Sequence, residues 1–465
     1  MNIDFIVTIV VLIEIQFLQP PPFSIKKDSR FKENIEDGSE WADLDNVEIP
    51  LITSEKNIKE QDFLEGFKTK LKDNDIVFDD RIINAFHTSL KVQDLSPLVV
   101  LARISGTGKS LLPSLYAREL GLKFLQIAVQ PRWDSPQDLF GFYNYMETRF
   151  KATELSRVIW SCDIYNNEKA KETFSGDINK LPMNIVLLDE MNLAKVEYYF
   201  SDMLSKLEVR RGKDCSKKED REPAEIELEC CSKDKNAKLR RMFVNKNTLF
   251  VGTINEDEST QSLSDKVKDR ANVMRFGRPK RLDLNPTTEK FLKSCGEEKL
   301  TYGTWSKWIK KPDQHVSDSI KKIIDPINDE LAKIGRPFAH RVYQGISLYV
   351  ANYPNKTREE LNNAIADQIE MKILPKLSGV EKDDTKVRRA LENIESQIKK
   401  IEDGELSEAF RRICRHSCSV RKARGAACRF SRRLNPRECS IECRDFPRTC
   451  PHCPSQILSV NGRKS

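Results

Sequence analysis

The sequence predicts an α/β protein: a parallel sheet flanked by helices and built around a glycine-rich strand–helix turn, followed by a smaller all-helical domain. Three observations carry this expectation. Short apolar runs alternate with helix-prone segments between residues 98 and 271. The first run leads straight into a Gly/Ser/Thr-rich turn and then a helix. After Pro279 the chain reads as helical throughout.

A helical pattern begins near Asn57, with Phe63, Phe67 and Leu71 at four-residue spacing on one face, and a second follows at 81–90. Leu98-Val99-Val100-Leu101, just after Pro97, is an apolar run of the kind a fully buried parallel strand uses. Residues 111–120 form the next helix, stopped by Gly121, which tolerates the left-handed backbone that ends helices. Pro113 is acceptable because it falls near the helix start, where its missing N–H has no intrahelical partner. Strands follow at 124–129, 185–188 and 249–254, then a helical segment at 264–271. Residues 213–241 interrupt this order with dense charge around an alternating piece at 226–230, which reads as an exposed hairpin insertion. Helices at 317–333, 338–351, 358–374 and 386–401 complete the chain, and there is no internal repeat.

With 465 residues, 39% hydrophobic and 32% charged, the chain can bury two to four domain cores and has no apolar run of membrane-spanning length. The expected division is a poorly defined N-terminal segment and linker at 1–56, and an α/β domain with N-terminal helices at 57–280 that carries a charged insertion at 211–245. A helical lid at 281–403 and a basic, Cys-rich tail at 404–465 complete it. Residues 411–465 carry 14 Lys and Arg against 3 Asp and Glu, so the body is slightly acidic and the basic excess sits in the tail. Five of the 12 cysteines are scattered through the body, which suits a reducing, cytoplasmic setting. The apolar stretch at 5–18 has no preceding Lys or Arg, contains Glu14 and meets Pro20 without a small-residue cleavage site, so a buried or mis-started segment is favoured over a signal or anchor.

The chemistry concentrates in three places. Arg103 to Ser110 (RISGTGKS) lies between strand and helix, where successive backbone N–H groups and a helix N-terminus form a concave anion site. Ser105, Gly106, Thr107 and Gly108 would wrap phosphates, Lys109 would reach the β/γ-phosphates and Ser110 would offer a hydroxyl to Mg²⁺. Arg103 stands where the pattern has its first glycine. Either it takes a left-handed backbone at about 1–2 kcal/mol, crowding the loop, or it keeps a permitted conformation and points to solvent. Second, Ile185 to Leu188 is an apolar run that delivers Asp189 and Glu190 at its carboxyl end, where ligands of open α/β sheets bind. Asp189 suits the Mg²⁺ shell and Glu190 the polarisation of an attacking water. Third, Asn255 ends the 249–254 strand and could bond that water or the γ-phosphate. Arg270 and Arg341 are candidates for stabilising charge on a transferring phosphoryl group.

These motifs resemble the AAA+ ATPases, specifically the branch with the McrB restriction GTPase and the dynein-related AAA domains. The resemblance rests on SGTGKS (105–110), VQPRWDSPQDLFGFYNY (129–145), LLDEMNLAKVEYYFSDMLSKLE (187–208), GTINEDEST (252–260), SDKVKDRANV (264–273) and AHRVYQGI (339–346), and runs over about 320 residues from 79 to 401. It implies that Lys109 and Ser110 are Walker A, Asp189 and Glu190 Walker B, and Asn255 sensor 1. Arg270 would be the arginine finger offered to a neighbouring subunit, and Arg341 sensor 2 in the lid. It further implies Mg²⁺-dependent ATP hydrolysis in a homo-oligomeric ring, usually a hexamer, that remodels a partner, with a nuclease or other effector as a candidate in a restriction or defence system. GTP is the alternative nucleotide, and an impaired, structural ring subunit the alternative role, because of Arg103. The chain departs from the branch in lacking Asp-Arg just after Asn255.

In the tail, Cys439, Cys443, Cys450 and Cys453 offer four thiolates, but the six-residue gap is short for a zinc ribbon and Cys414, His416, Cys418 and Cys428 compete. Zinc is therefore disfavoured against a disordered or out-of-frame segment. Nucleic acid could meet the basic tail through phosphates or be reached through a partner.

Overall fold

Each central strand is apolar on both faces, so the sheet needs a covering layer on either side. The computed structural model describes residues 39–103, 108–230, 239–255, 263–276, 288–293, 295–354, 357–377, 379–380 and 384–414. The apolar stretch at 5–18, the tail cysteines beyond Cys414, and Ser105, Gly106 and Thr107 lie outside them.

The strands are β1 (Leu98–Ala102), β2 (Lys123–Ala128), β3 (Gly141–Asn144), β4 (Arg149–Ala152), β5 (Asn184–Asp189), β6 (Ile226–Glu229), β7 (Leu239–Met242), β8 (Thr248–Ile254) and β9 (Ala271–Arg275). Five of them form one parallel sheet in the order β2-β5-β8-β1-β9, while β3/β4 and β6/β7 are antiparallel pairs. Strand side chains alternate between the faces. Val99, Leu101, Ile185, Leu187 and Val251 enter one core, and Leu98, Val100, Val186, Leu188 and Phe250 enter the other.

The first core is covered by α1 (Glu60–Asp73), α2 (Asp80–Lys91) and α3 (Leu111–Leu120). Phe63, Phe67 and Leu71 form the buried face of α1, as their spacing predicts. The Asp79 side chain caps α2 by accepting from the Arg81 N–H. Gly121 ends α3 with φ 66°, and a Cβ there would lie 1.9 Å from the Glu298 carbonyl oxygen, so glycine is required. The second core is covered by α4 (Ser201–Val209) and both hairpins.

Beyond the sheet lie helix Tyr302–Lys307, α5 (Gln314–Lys333), α6 (His340–Asn352), α7 (Arg358–Gln368) and α8 (Thr385–Lys399). A π-helical turn, Ile369–Ile373, continues α7. These helices extend the first core through Ile320, Ile324, Ile346, Tyr349 and Ile394. Arg81 ties α2 to this region, bonding Asp367 at 2.8 Å and Asp403 at 2.7 Å. Among the described residues no helix is long and apolar enough to cross a membrane.

Three segments differ from expectation. Within the presumed linker, helix Ala42–Asp45 places Trp41 and Leu44 in the second core, because two isolated apolar side chains leave no period to read. The charged insertion forms the β6/β7 hairpin, but this is not an exposed one: Ile226, Leu228 and Met242 are buried while Glu227 and Glu229 face outward. The helical stretch expected at 264–271 shrinks to one turn, Asp265–Lys268, and β9 follows as a fifth strand. Only pairing along β1 makes Ala271–Arg275 a strand.

A buried polar network joins the helices over the first core. His87 is fully enclosed, with Nδ1 2.7 Å from the Tyr116 hydroxyl and Nε2 3.0 Å from Glu60 Oε1, which also pairs with Lys91. Burial pushes His87 down to about 4. For Glu60 burial acts upward, but bonds and charges from His87 and Lys91 prevail and hold it at about 2. Folding therefore favours neutral His87, so its contribution is complete above about pH 6.5 and is lost as pH falls towards 4, where only the unfolded chain takes up the proton. Urea unfolding at pH 7 and pH 4 should show wild type losing on the order of 3 kcal/mol relative to His87→Gln over that interval. Parallel pH profiles for the two proteins would contradict the assignment.

Candidate functional site

Parallel register brings the carboxyl ends of β1, β5 and β8 to one edge of the sheet. Ala102 lies beside Ile254, and Leu188 beside Gly252. Arg103, Asp189 and Asn255 therefore leave the sheet close together, at the reversal in strand order where open α/β sheets hold ligands.

Asp189 is held from three sides. Its Oδ1 accepts from Ser110 Oγ at 2.9 Å and from Thr253 Oγ1 at 2.5 Å, and its Oδ2 accepts from Gln126 Nε2 at 2.8 Å. The next residue, Glu190, has a left-handed backbone (φ 51°, ψ 45°), which is uncommon for a residue with a Cβ. Its N–H donates to Thr253 Oγ1 at 2.8 Å, so one hydroxyl fixes both carboxylate residues. The sharp exit brings the Glu190 side chain to Asn255, whose Nδ2 donates to Oε1 at 3.2 Å.

Asn255 is itself anchored by Asn192, which donates to its carbonyl at 2.8 Å and accepts from its N–H at 3.3 Å. Asn255 Oδ1 accepts from Lys109 Nζ at 2.7 Å, and Lys109 also donates to the Arg103 carbonyl at 2.6 Å. Lys109 is buried, with 6% of its surface exposed, so its ammonium depends on these partners. Gly108 has φ 80°, and a Cβ there would sit 3.2 Å from the Phe78 ring, which leaves little space for any other residue.

Arg103 has no left-handed backbone. Its N–H reaches the Ile254 carbonyl at 3.3 Å, extending the β1–β8 ladder, and its guanidinium donates to the Phe276 carbonyl beyond β9. Of the two expectations for this residue, the permitted conformation is the one observed, but the side chain lies along the sheet edge instead of pointing to solvent.

The structure thus gathers Gly108, Lys109, Ser110, Asp189, Glu190 and Asn255. Arg270 and Arg341 are not part of this network. Arg270 Nη2 lies 3.0 Å from Glu208 Oε2, and Arg341 pairs with the other oxygen of the same carboxylate. Sequence reasoning missed Thr253, Gln126, Asn192, Phe78 and Glu208. The polar interruptions at Gln126 and Thr253 inside apolar strands were the available signal, since each faces a strand-end carboxylate through register.

An ammonium, a hydroxyl, two carboxylates and an amide converge here, suiting a polyanion accompanied by a hard divalent cation. Among the described residues no cluster of three or more His, Cys, Asp or Glu could hold a metal. The Ser110–Asp189 oxygen pair instead suits Mg²⁺, which takes one or two protein ligands together with phosphates and waters.

A family model described as a domain of unknown function (DUF8727) matches residues 294–435. No curated protein matches the chain. Among solved structures it is similar to a “putative ATPase” from Cytophaga hutchinsonii, with 13% identity and a TM-score of 0.38 over 67% of this chain and 89% of that one. It is also similar to a full-length MCM homolog from Methanopyrus kandleri, with 14% identity and a TM-score of 0.30 over 75% of this chain and 64% of that one.

Packing behind the carboxylates has a measurable consequence. A Cβ on Gly252 would lie 2.1 Å from Sδ of buried Met191, the residue after Glu190. Gly252→Ala should destabilise the fold by about 1–3 kcal/mol through overpacking, read as a lower urea midpoint at unchanged m-value. An unchanged midpoint would show that Met191 repacks freely.

Proposed function

We propose that the chain is an AAA+-type nucleoside-triphosphatase that binds ATP with Mg²⁺ and hydrolyses it between the subunits of a ring, remodelling a partner. The observation that carries this reading is the continuous link Lys109–Asn255–Glu190 beside the Ser110–Asp189 pair. A cation for the phosphates, a hydroxyl and carboxylate for Mg²⁺, and a second carboxylate with an amide for water are thereby adjacent.

Each residue has a distinct task. Lys109 would exchange its carbonyl and amide partners for β/γ-phosphate oxygens. Ser110 and Asp189 would hold Mg²⁺, which when bound neutralises charge on the phosphates. Thr253 and Gln126 keep Asp189 aimed while that happens. Glu190 would polarise the attacking water, with Asn255 fixing the carboxylate and contacting the γ-phosphate. Ser105, Gly106, Thr107 and Gly108 would supply backbone N–H groups to the phosphates.

Arg270 and Arg341 bond Glu208 instead of this network, which favours charge stabilisation by an arginine from a second subunit and hence a ring. The ordinary backbone at Arg103 favours an active enzyme over an impaired one. ATP is proposed over GTP, and a nuclease or other effector as the partner in a McrB-type system, from the sequence resemblance.

Hydrolysis of ATP and GTP measured against protein concentration tests the proposal, with turnover per subunit expected to rise on assembly. Glu190→Gln should keep nucleotide binding and lower turnover by at least about 100-fold, whereas Lys109→Ala should lose binding. Wild-type turnover by Glu190→Gln would remove Glu190 from the mechanism. Arg103→Gly should bind nucleotide within about 3-fold of wild type, a difference below 1 kcal/mol; binding that appears only in this variant would restore the impaired reading.

A further inference from the structure

Glu208 occupies the last turn of α4, whose Leu204 and Leu207 are buried in the second core, so the carboxylate sits on a well-anchored helix. Its two oxygens serve different elements. Oε2 holds Arg270, in the turn before β9, at 3.0 Å, and Oε1 holds Arg341, in the first turn of α6. Arg211, just beyond α4, also bonds Gln344 of α6. One carboxylate therefore joins two guanidinium groups that the sequence resemblance gives separate duties, and it does so where the sheet unit meets the helical region.

The backbone carrying Arg270 is gripped from the other side. Lys372, on the π-helical turn after α7, is buried and donates to the carbonyls of Asp269, at 3.4 Å, and Ala271. Lys376 pairs with the Asp269 carboxylate at 3.0 Å. Burial lowers Lys372 to about 7 despite the nearby Asp269 charge. Arg270, Arg341 and Lys376 face Glu208 and Asp269, so even without a charge on Lys372 one positive charge remains in excess. Without Glu208 the two arginines would repel each other and each long side chain would regain its rotamers. The triad is only partly buried, with 27%, 29% and 39% exposure for Glu208, Arg270 and Arg341, so as an ion pair it adds little to stability.

We propose that Glu208 is a positioning residue for phosphoryl transfer: it holds Arg270 and Arg341 as one paired unit, so that both guanidinium groups approach the same triphosphate. This rests on the ATPase reading above. In this role Glu208 acts through the two arginines and not on the nucleotide directly. Its effect is to reduce the rotamer search of two side chains whose charge is needed only as the phosphoryl group transfers, which places the effect in kcat and not in KM.

The test measures kcat and KM for ATP with the full chain, at a protein concentration where turnover per subunit has levelled off. Arg270→Ala should lower kcat by about 10³-fold or more. Glu208→Ala should lower kcat by about 10–100-fold with KM within about 3-fold, the pattern of an interaction made only in the transition state. Glu208→Asp, which keeps the charge, should recover part of the loss, and Glu208→Ala added to the Arg270→Ala, Arg341→Ala double variant should slow it no further. Glu208→Asp also serves if the alanine variant folds poorly. Wild-type kcat in Glu208→Ala, or a further multiplicative loss when it is added to the double arginine variant, would overturn the positioning role while leaving the ATPase reading intact. No turnover by wild type would overturn both.

Discussion

The register between β5 and β8 is the constraint on which the site depends. With Leu188 beside Gly252, the Thr253 hydroxyl reaches both the Asp189 carboxylate and the Glu190 N–H. A slip of one residue would turn every side chain of the strand to the opposite face. The hydroxyl would then enter a core, and the left-handed exit at Glu190 would lose the bond that holds it. Apolar residues on both faces resist such a slip, because each one that moved would leave a filled position empty in one core and crowd the other.

Polar ties converge on the seam between sheet and helices. The first core runs without a break from the sheet into α5–α8, so the helical region shares buried apolar surface with α1, α2 and α3. Laid over that surface are ion pairs and hydrogen bonds with separate anchors: Arg81 to Asp367 and Asp403, Glu208 to Arg341, and Lys372 to the turn carrying Arg270. Bonds of this kind can exchange partners at a cost near that of one hydrogen bond, whereas separating the cores would expose large apolar areas.

Much of the fold was legible because the relevant signals are local. Four of the five parallel strands are short apolar runs, the α1 face follows four-residue spacing, and Gly121 stands where a left-handed residue must end α3. The fifth strand was not, because Ala271–Arg275 carries an internal Asn and becomes extended by pairing with β1. Trp41, Leu44 and the inner face of the β6/β7 hairpin were hidden for a related reason: burial was decided by distant surfaces, while the neighbouring residues are mostly polar.

The catalytic candidates divide in the same way. Lys109, Ser110, Asp189, Glu190 and Asn255 could be picked out as candidates from the sequence alone because the roles proposed for them call for a strand end or a helix start, and those places are marked by apolar runs and glycines. Which groups hold them was settled only in three dimensions. Gln126 and Thr253 are ordinary strand residues until register sets them against Asp189, and Glu208 is one helical acid among many until folding brings residues 270 and 341 to its two oxygens. Local backbone chemistry is written within a few neighbouring residues, whereas a partner 60 or 130 positions away is chosen by packing, which the order of residues does not display.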